Sequence, residues 1–309
     1  MELFKLNKHI DFVGHRKVAV AISAFLIVAS IALLFVRGLN FGVDFTGGLV
    51  VEVGYPESVE LDGIRATLAE TGYDGAIVQH FGTTSEVLIR IAPDNTDAAA
   101  VSNEILRELR ADDANVEMRR VEFVGPQVGD ELKEKGGLAM LLSLIGILIY
   151  VALRFEYRFA LGAIVALVHD VVLTLGFFSL MRIEFDLVVL AALLAVIGYS
   201  LNDTVVIYDR IRENFLTLRR ADALEVINTS LNQTLSRTIM TGVTTLIVLS
   251  ALLFLGGQVM YGFAVALIFG VVIGSGSSIY VASTALIALG VSKQDLMPPK
   301  KEGIDDPMP

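Results

Sequence analysis

The sequence contains no cysteine and few charged residues, and both absences narrow the possible functions. Without cysteine, neither a disulfide framework nor thiol chemistry is available. No set of histidine and carboxylate residues has metal-ligand spacing, so neither a metal nor another cofactor is expected. Charged residues make up only 19% of the 309 residues, whereas 54% are hydrophobic. This composition excludes an ordinary soluble chain and is typical of a polytopic membrane protein.

Six apolar windows are long enough to cross the roughly 30 Å of hydrocarbon in a bilayer. They lie at about 17–36, 136–153, 159–180, 186–207, 237–256 and 260–290. The predicted fold class is a polytopic α-helical membrane protein with six transmembrane helices, one before an exported domain and five after it. The first window is predicted to be an uncleaved anchor, because its apolar run continues past a possible cleavage site to Val36.

Basic residues near the predicted helix ends lie on one side of the membrane, which places both termini in the cytoplasm. The predicted divisions are a cytoplasmic N-terminus at 1–16, TM1 at 17–36, an exported domain at 37–135, a five-helix bundle (TM2 to TM6) at 136–290 with a cytoplasmic loop at about 208–236, and a cytoplasmic tail at 291–309. Apolar residues recur at helical spacing from Ile207 to Leu218 among arginines. They indicate either an interfacial helix on the lipid surface or a simple anchored loop.

The exported segment has about 19 acidic against 9 basic residues, which argues against nucleic acid as a partner. Alternating or β-branched runs predict strands at Leu49–Tyr55, Ala76–Phe81, Glu86–Ile91 and Asn115–Val124. Apolar stripes predict helices at Glu60–Thr71 and Asp97–Arg110. The order β-α-β-β-α-β predicts a ferredoxin-like α+β domain.

The segment Leu39–Gly48 is rich in glycine and carries Asp44. A glycine-rich loop can hold phosphate, but no lysine or hydroxyl residue follows at the spacing of a P-loop. The segment is therefore predicted to be a tight turn from the membrane into the first strand. Phe123–Pro126 is predicted to be the matching exit, because Pro126 blocks continuation of the strand.

Asp203 and Asn202 lie in the apolar stretch Leu187–Tyr208. A carboxylate in the middle of a membrane helix costs roughly 2.5–3.5 kcal/mol on insertion scales, so Asp203 indicates an ion path or a buried pair. Asn202 does not titrate and is predicted to form an interhelical hydrogen bond. His169 and Asp170 lie near the middle of another span, where they either take part in a relay or have a static packing role.

Two further patterns occur in the spans. Small residues recur every four positions in the sixth helix and predict a face for close helix packing, within this chain or with a partner, at Gly262, Ala266, Gly270, Gly274 and Ser278. Gly198–Leu201 resembles a fragment of a serine nucleophile motif. Its second glycine and the strand that would hold it are missing, so an enzyme is not expected.

The order of several motifs carries a resemblance over nearly the whole chain. They are Leu39–Gly48 (LNFGVDFTGG), Phe123–Pro126 (FVGP), His169-Asp170, Gly198–Thr204 (GYSLNDT), Asp209–Asn214 (DRIREN), Ser236–Thr238 (SRT) and Ser277–Ala282 (SSIYVA). In this order, on a one-plus-five topology, the chain resembles the SecF branch of the SecD/SecF protein-export membrane protein family, within the resistance-nodulation-division (RND) superfamily.

The resemblance implies a non-enzymatic subunit of the bacterial inner membrane that uses the proton motive force to assist Sec-dependent protein translocation. The implied partners are SecD, the SecYEG translocon, YajC, translocating preproteins and membrane lipid. The resemblance assigns the proton relay to Asp203 and Arg237, which can meet if the fourth and fifth helices pack side by side. H⁺ is the implied coupling ion, although carboxylates also serve Na⁺. The rival functions are a structural scaffold for SecD and half of a small-molecule RND exporter.

Overall fold

The structure is a computed structural model that describes residues 9–92, 98–218 and 220–292. The first helix, α1, spans Arg16–Arg37 and is long and apolar enough to cross a membrane. Two short elements follow it, strand β1 (Asn40–Phe41) and helix α2 (Val43–Thr46). The glycine-rich segment is thus a short strand and one helical turn, where a tight turn was predicted.

An α+β unit comes next. Its elements are β2 (Gly48–Gly54), α3 (Leu61–Glu70), β3 (Ile77–Phe81), β4 (Thr83–Ile91), α4 (Ala98–Asp112) and β5 (Glu117–Val124). The strands form an antiparallel sheet in the order β3-β4-β2-β5. Alternate strand residues such as Val51 and Ile89 are fully buried with Leu68 of α3 and Ile105 of α4. The helix expected at Asp97–Arg110 is present from Ala98, while Asp97 lies outside the described residues.

The remaining spans form a bundle. They are α5 (Pro126–Arg154), α6 (Tyr157–Met181), α7 (Leu187–Thr217), α8 (Ala223–Leu255) and a last span made of α9 (Gly257–Ser277), a π-helical turn (Ser278–Ala282) and α10 (Ser283–Ala288). Together with α1, the described residues contain six helices able to cross a membrane. The chain is a polytopic helical membrane protein.

Most of the segment predicted to be a cytoplasmic loop, at about 208–236, is helical. Helix α7 continues to Thr217, and α8 begins at Ala223, where the Asp222 side chain caps it by accepting a 2.7 Å hydrogen bond from Glu225 N. Ile211 and Phe215 are buried in the core of the bundle. Their helical spacing therefore reflects packing inside the protein and not a helix on the lipid surface.

The second span also starts earlier than position 136, the predicted boundary. Helix α5 begins at Pro126, a residue favoured in the first turn because it has no N–H to satisfy. Gly129 of α5 lies against Gly47, and a Cβ on Gly129 would come within 2.8 Å of the Gly47 nitrogen. This close approach holds the exit of the α+β unit against its entrance.

A parallel two-strand ladder joins the entrance segment to the bundle. β1 pairs with β6 (Glu184–Phe185), which lies in the connection between α6 and α7. Arg90 of β4 donates a 2.9 Å hydrogen bond to the Phe41 carbonyl and forms an ion pair with Glu184. Asp44 of α2 accepts a 3.0 Å hydrogen bond from Leu187 N at the start of α7. These contacts attach the α+β unit to the N-terminal end of α7.

The segment before α1 is attached to α8 by two asparagines. Asn228 Oδ1 accepts hydrogen bonds from Phe12 N at 2.9 Å and Val13 N at 3.2 Å. Asn232 both accepts from Ile10 N and donates to Ile10 O, each at 2.8 Å. Phe12 and Val13 are buried in the bundle core. The predicted N-terminal segment 1–16 is therefore ordered against α8 from residue 9 on, the earlier residues lying outside the described part.

Candidate functional site

Asp203 lies inside the bundle on α7 and is only 5% exposed. Its Oδ1 accepts a hydrogen bond of 2.7 Å from the Thr238 hydroxyl on α8. Its Oδ2 is buried and has no hydrogen-bond partner within the described part of the chain. One half of this carboxylate is therefore fixed to the neighbouring helix, and the other half is open to accept a proton or another donor.

Arg237, the second predicted relay residue, does not bond to Asp203 in this structure. Its side chain is exposed on α8, and among the described residues no ion pair joins it to Asp203. The residue that meets Asp203 is its neighbour, Thr238. Adjacent residues on a helix point about 100° apart, so with Thr238 against Asp203 the Arg237 side chain lies to one side of this contact and is exposed.

Asn202, the residue before Asp203 on α7, is also exposed. The hydrogen bond predicted between Asn202 and another helix is not formed within the described residues. Asn202 and Arg237 are thus two polar side chains that membrane-spanning helices turn away from the interior of this chain.

His169 and Asp170 form the second polar cluster, deep in α6. They are 5% and 1% exposed, and His169 Nδ1 lies 2.8 Å from Asp170 Oδ1. Asp170 Oδ2 accepts hydrogen bonds from Ser200 of α7 at 2.5 Å and Ser277 of α9 at 2.7 Å. The sequence suggested no basic partner for Asp170, but the structure pairs it with the histidine beside it. The cluster joins three helices.

The hydroxyls around these carboxylates were missed as functional residues. Ser278 Oγ lies 2.8 Å from Thr204 Oγ1, next to Asp203, and donates to the Ser200 carbonyl at 3.4 Å. Ser278 also begins the π-helical turn, a feature often found at functional sites. The available signal was the occurrence of serine and threonine beside charged residues within apolar windows.

Ser200 does not have the geometry of a hydrolase nucleophile. It lies in the interior of α7, whereas a nucleophile elbow places its serine on a turn between a strand and a helix. Its hydroxyl donates to Asp170 and not to His169. The described residues also contain no group of three or more histidines and carboxylates arranged for a metal ion.

The small-residue face of the last span packs against α7 of the same chain. A Cβ on Gly262 would lie 2.8 Å from a methyl group of Val189, and one on Gly274 would lie 3.1 Å from Cβ of Ser200. A Cβ on Gly270 would collide with the Val196 side chain. Ala266 is fully buried beside them, and Ser278 continues the face into the polar cluster. The close packing allows Ser277 to reach Asp170.

A cavity of about 700 Å³ lies between the α+β unit and the ends of α6, α7 and α9. Its lining includes Asp44, Glu122, Glu184 and Asp186, together with Arg120. Burial raises the pKa of Glu184, although Arg90 partly offsets this, and burial also raises the pKa of Asp186. Protons are therefore held more tightly here than by exposed carboxylates. Asp186 also caps α7, the helix that carries Asp203, by accepting from Val189 N at 2.7 Å.

Comparison with known proteins places these features in one family. A family model for "Protein export membrane protein SecD/SecF, C-terminal" matches residues 104–292, and one for the "SecD/SecF GG Motif" matches residues 32–55. Similar proteins include the protein translocase subunit SecF of Vibrio alginolyticus, 49% identical over 100% of this chain and 99% of the relative. The protein translocase subunit SecF of Pseudomonas aeruginosa is 48% identical over 96% of this chain and 97% of the relative.

The fold is also similar to a solved structure. The crystal structure of SecDF, a translocon-associated membrane protein from Thermus thermophilus, matches 93% of this chain with a TM-score of 0.86 and 37% identity. The chain spans 40% of the length of that SecDF chain. The resemblance drawn from the sequence motifs is confirmed, and the chain belongs to the SecD/SecF protein-export membrane protein family.

Proposed function

We propose that this chain is the SecF-like subunit of a complex with SecD that uses the proton motive force to assist protein translocation. It is a non-enzymatic transport subunit that needs no cofactor, and its coupling ion is H⁺. It acts in the bacterial inner membrane with both termini in the cytoplasm, as the distribution of basic residues requires.

The observation that carries this proposal is the half-bonded carboxylate of Asp203. A buried polar atom without a partner costs about 1–3 kcal/mol, so it is expected to be retained only where a function uses it. Taking up a proton removes the charge of Asp203 and turns it from an acceptor into a donor. Thr238 joins Asp203 to α8, so this change favours a different packing of α7 against α8.

The exposed positions of Arg237 and Asn202 on α8 and α7 support the proposal that another membrane subunit packs against these helices. Arg237 is exposed on a membrane-spanning helix about one turn before Met240, which is also exposed, and an unpaired charge is costly on such a helix. A carboxylate on a helix of SecD would neutralise Arg237 there. In this arrangement Asp203, Arg237 and a SecD carboxylate form the relay between the two subunits.

The α+β unit is the exported, ferredoxin-like domain in this proposal. Its strand order and two helices on one sheet face support that fold. Its contacts with β6 and the start of α7 give a mechanical path from the bundle to the domain. Movement of α7 then moves the domain, which acts on preproteins that emerge from SecYEG. YajC is the expected further partner.

A potential of 100 mV supplies about 2.3 kcal/mol for each charge moved across the membrane. That energy changes the populations of two balanced arrangements of the bundle by tens-fold. A single carboxylate that changes charge is therefore sufficient to bias the bundle between two packings.

The test compares wild type with Asp203→Asn, each co-expressed with SecD, in vesicles that export a secretory precursor. We expect Asp203→Asn to co-purify with SecD and to lose the part of export that depends on the proton gradient. Asp203→Glu keeps a carboxylate and is the matched control. If Asp203→Asn exports normally under the gradient, the proton relay fails and the chain acts as a structural scaffold for SecD.

A further inference from the structure

The His169–Asp170 pair has one ring nitrogen that the fold leaves unused. Ser200 and Ser277 donate to Asp170 Oδ2, and His169 Nδ1 lies 2.8 Å from Oδ1. When Asp170 is ionised it only accepts hydrogen bonds, and Nδ1 then carries the hydrogen in this contact. The lone pair of the neutral ring is then on Nε2, which is buried and has no hydrogen-bond partner in the described ranges.

We propose that His169 is a second proton-binding residue of the bundle, which takes up a proton at Nε2 while Asp170 positions its ring. This inference rests on the proposed function, because it adds a site to the same proton-coupled bundle. Uptake forms one N–H bond at Nε2, and release breaks the same bond. Asp170 is a positioning residue, since it fixes the tautomer and keeps Nε2 free.

The charge of the pair makes this uptake favourable in a bundle. A neutral His169 with an ionised Asp170 leaves a net charge of −1 away from water, whereas a proton on Nε2 gives an ion pair of net charge zero. The helices packed against α6 carry further titratable groups, which include Asp203, Tyr199 and Tyr208 of α7, Tyr150 of α5 and Tyr280 of the π-helical turn. Within the described ranges, neither an arginine nor a lysine of α1, α5, α7, α9 or α10 lies within ion-pair distance of the pair.

The pair is connected to Asp203 through hydroxyl groups. Ser200 donates to Asp170, while its carbonyl accepts from Ser278, and the Ser278 hydroxyl contacts Thr204 beside Asp203. This connection includes a backbone carbonyl, so it transmits changes in helix position and is not a continuous proton wire. The charge state of His169 therefore acts on the contacts of α7 with α6 and α9, whereas that of Asp203 acts on the contact of α7 with α8.

The direct test is nitrogen-15 NMR of ring-labelled histidine in the full chain purified with its partner. The chain has only four histidines, and the His169→Gln variant identifies the His169 signal by difference. We expect the ring signals of His169 to change from the Nδ1–H tautomer to imidazolium as the pH is lowered over the range in which the complex stays folded. In Asp170→Asn, the midpoint of this change shifts. A single neutral state over the whole range would overturn the inference.

The transport test measures gradient-dependent export against pH in the same vesicles. His169→Gln is expected to assemble with SecD, to reduce this part of export at least about tenfold and to change its pH dependence. Ser179→Ala is the control, because Ser179 is buried on the same helix and, among the residues that the structure describes, donates only to the Leu33 and Gly38 carbonyls. A wild-type rate and pH profile in His169→Gln would also overturn the inference.

The two tests distinguish failure of the second proton site from failure of the proposed function. The NMR titration reports on His169 whether or not protons drive export, so its absence rejects the second site alone. Normal gradient-dependent export by Asp203→Asn instead rejects the proposed function.

Discussion

Thr238 donates a hydrogen bond of 2.7 Å to Oδ1 of Asp203, across the contact between α8 and α7. Oδ2 of the same carboxylate is buried without a partner in the part of the chain that the structure describes. This asymmetry distinguishes Asp203 from Asp170, whose two oxygens both accept hydrogen bonds. Asp203 is therefore the carboxylate best placed to change its protonation state.

Replacing Thr238 with valine is expected to impair coupling. The change removes the donor to Asp203 at nearly constant volume, and losing the partner of a buried acceptor costs about 1–3 kcal/mol. We expect gradient-dependent export to fall in Thr238→Val while SecD still co-purifies. Thr238→Ser keeps the hydroxyl and should export like wild type. Equal export by Thr238→Val and Thr238→Ser would show that the hydrogen bond has no part in coupling.

A methyl group at Gly270 is expected to destabilise the bundle. It would collide with Val196 of α7, and overpacking of this kind typically costs about 1–3 kcal/mol. Gly276 of the same helix has open space at its Cβ position, so Gly276→Ala is the matched control. Thermal unfolding in detergent should show a lower midpoint for Gly270→Ala than for Gly276→Ala. Identical midpoints would contradict the packing of α9 on α7 described above.

Glu184 is expected to make the junction between the α+β unit and the bundle sensitive to pH. Burial raises its pKa above the ordinary value of 4.5. When folding raises the pKa of an acid, the associated stability is complete below the ordinary value and is lost as pH rises through the folded value. The melting temperature of wild type should therefore fall as the pH rises from the ordinary pKa of Glu184 through its higher pKa in the folded protein.

The variant Glu184→Gln cannot ionise, so its melting temperature should change less steeply with pH. Asp186 retains part of the slope, because its pKa is also raised by burial. Glu57→Gln, at an exposed position of the same unit, serves as the control and should follow wild type. An unchanged slope in Glu184→Gln would rule out the junction carboxylate as the source.

Removal of the Asn228 side chain is expected to release the segment before α1. Asn228→Ala loses the hydrogen bonds to Phe12 and Val13 and leaves both of these buried N–H groups without their acceptor. Hydrogen exchange at these two amides should rise by about tenfold or more, which corresponds to a loss of about 1.4 kcal/mol. The neighbouring variant Thr229→Ala should leave their exchange unchanged. Continued protection in Asn228→Ala would show that burial alone holds the segment.

Strong periodic patterns made much of the architecture predictable. The apolar windows correspond to the six spans, and the alternating and helical patterns of residues 48–124 correspond to the strands and helices of the α+β unit. The small residues from Gly262 to Ser278 predicted a packing face, and the structure places that face on α7. Asp203, His169 and Asp170 were recognisable because charged or ionisable residues are costly inside apolar windows.

Other features depend on contacts that have no local signal. β1 and β6 have two residues each and are far apart in sequence, so neither shows an alternating pattern. The end of α7 and the start of α8 were not predicted, because hydropathy defines the apolar window and not the helix end. The expected contact of Arg237 with Asp203 required the rotation of α8, which places Thr238 there instead.

The proposed function assigns the coupled proton to Asp203. Its most direct test is proton flux through the purified complex with SecD in liposomes that contain a pH-sensitive dye, with H⁺ and Na⁺ gradients imposed separately. We predict that wild type and Asp203→Glu dissipate a pH gradient, and that Asp203→Asn does not. Equal proton flux in wild type and Asp203→Asn, or flux of Na⁺ alone, would contradict the account.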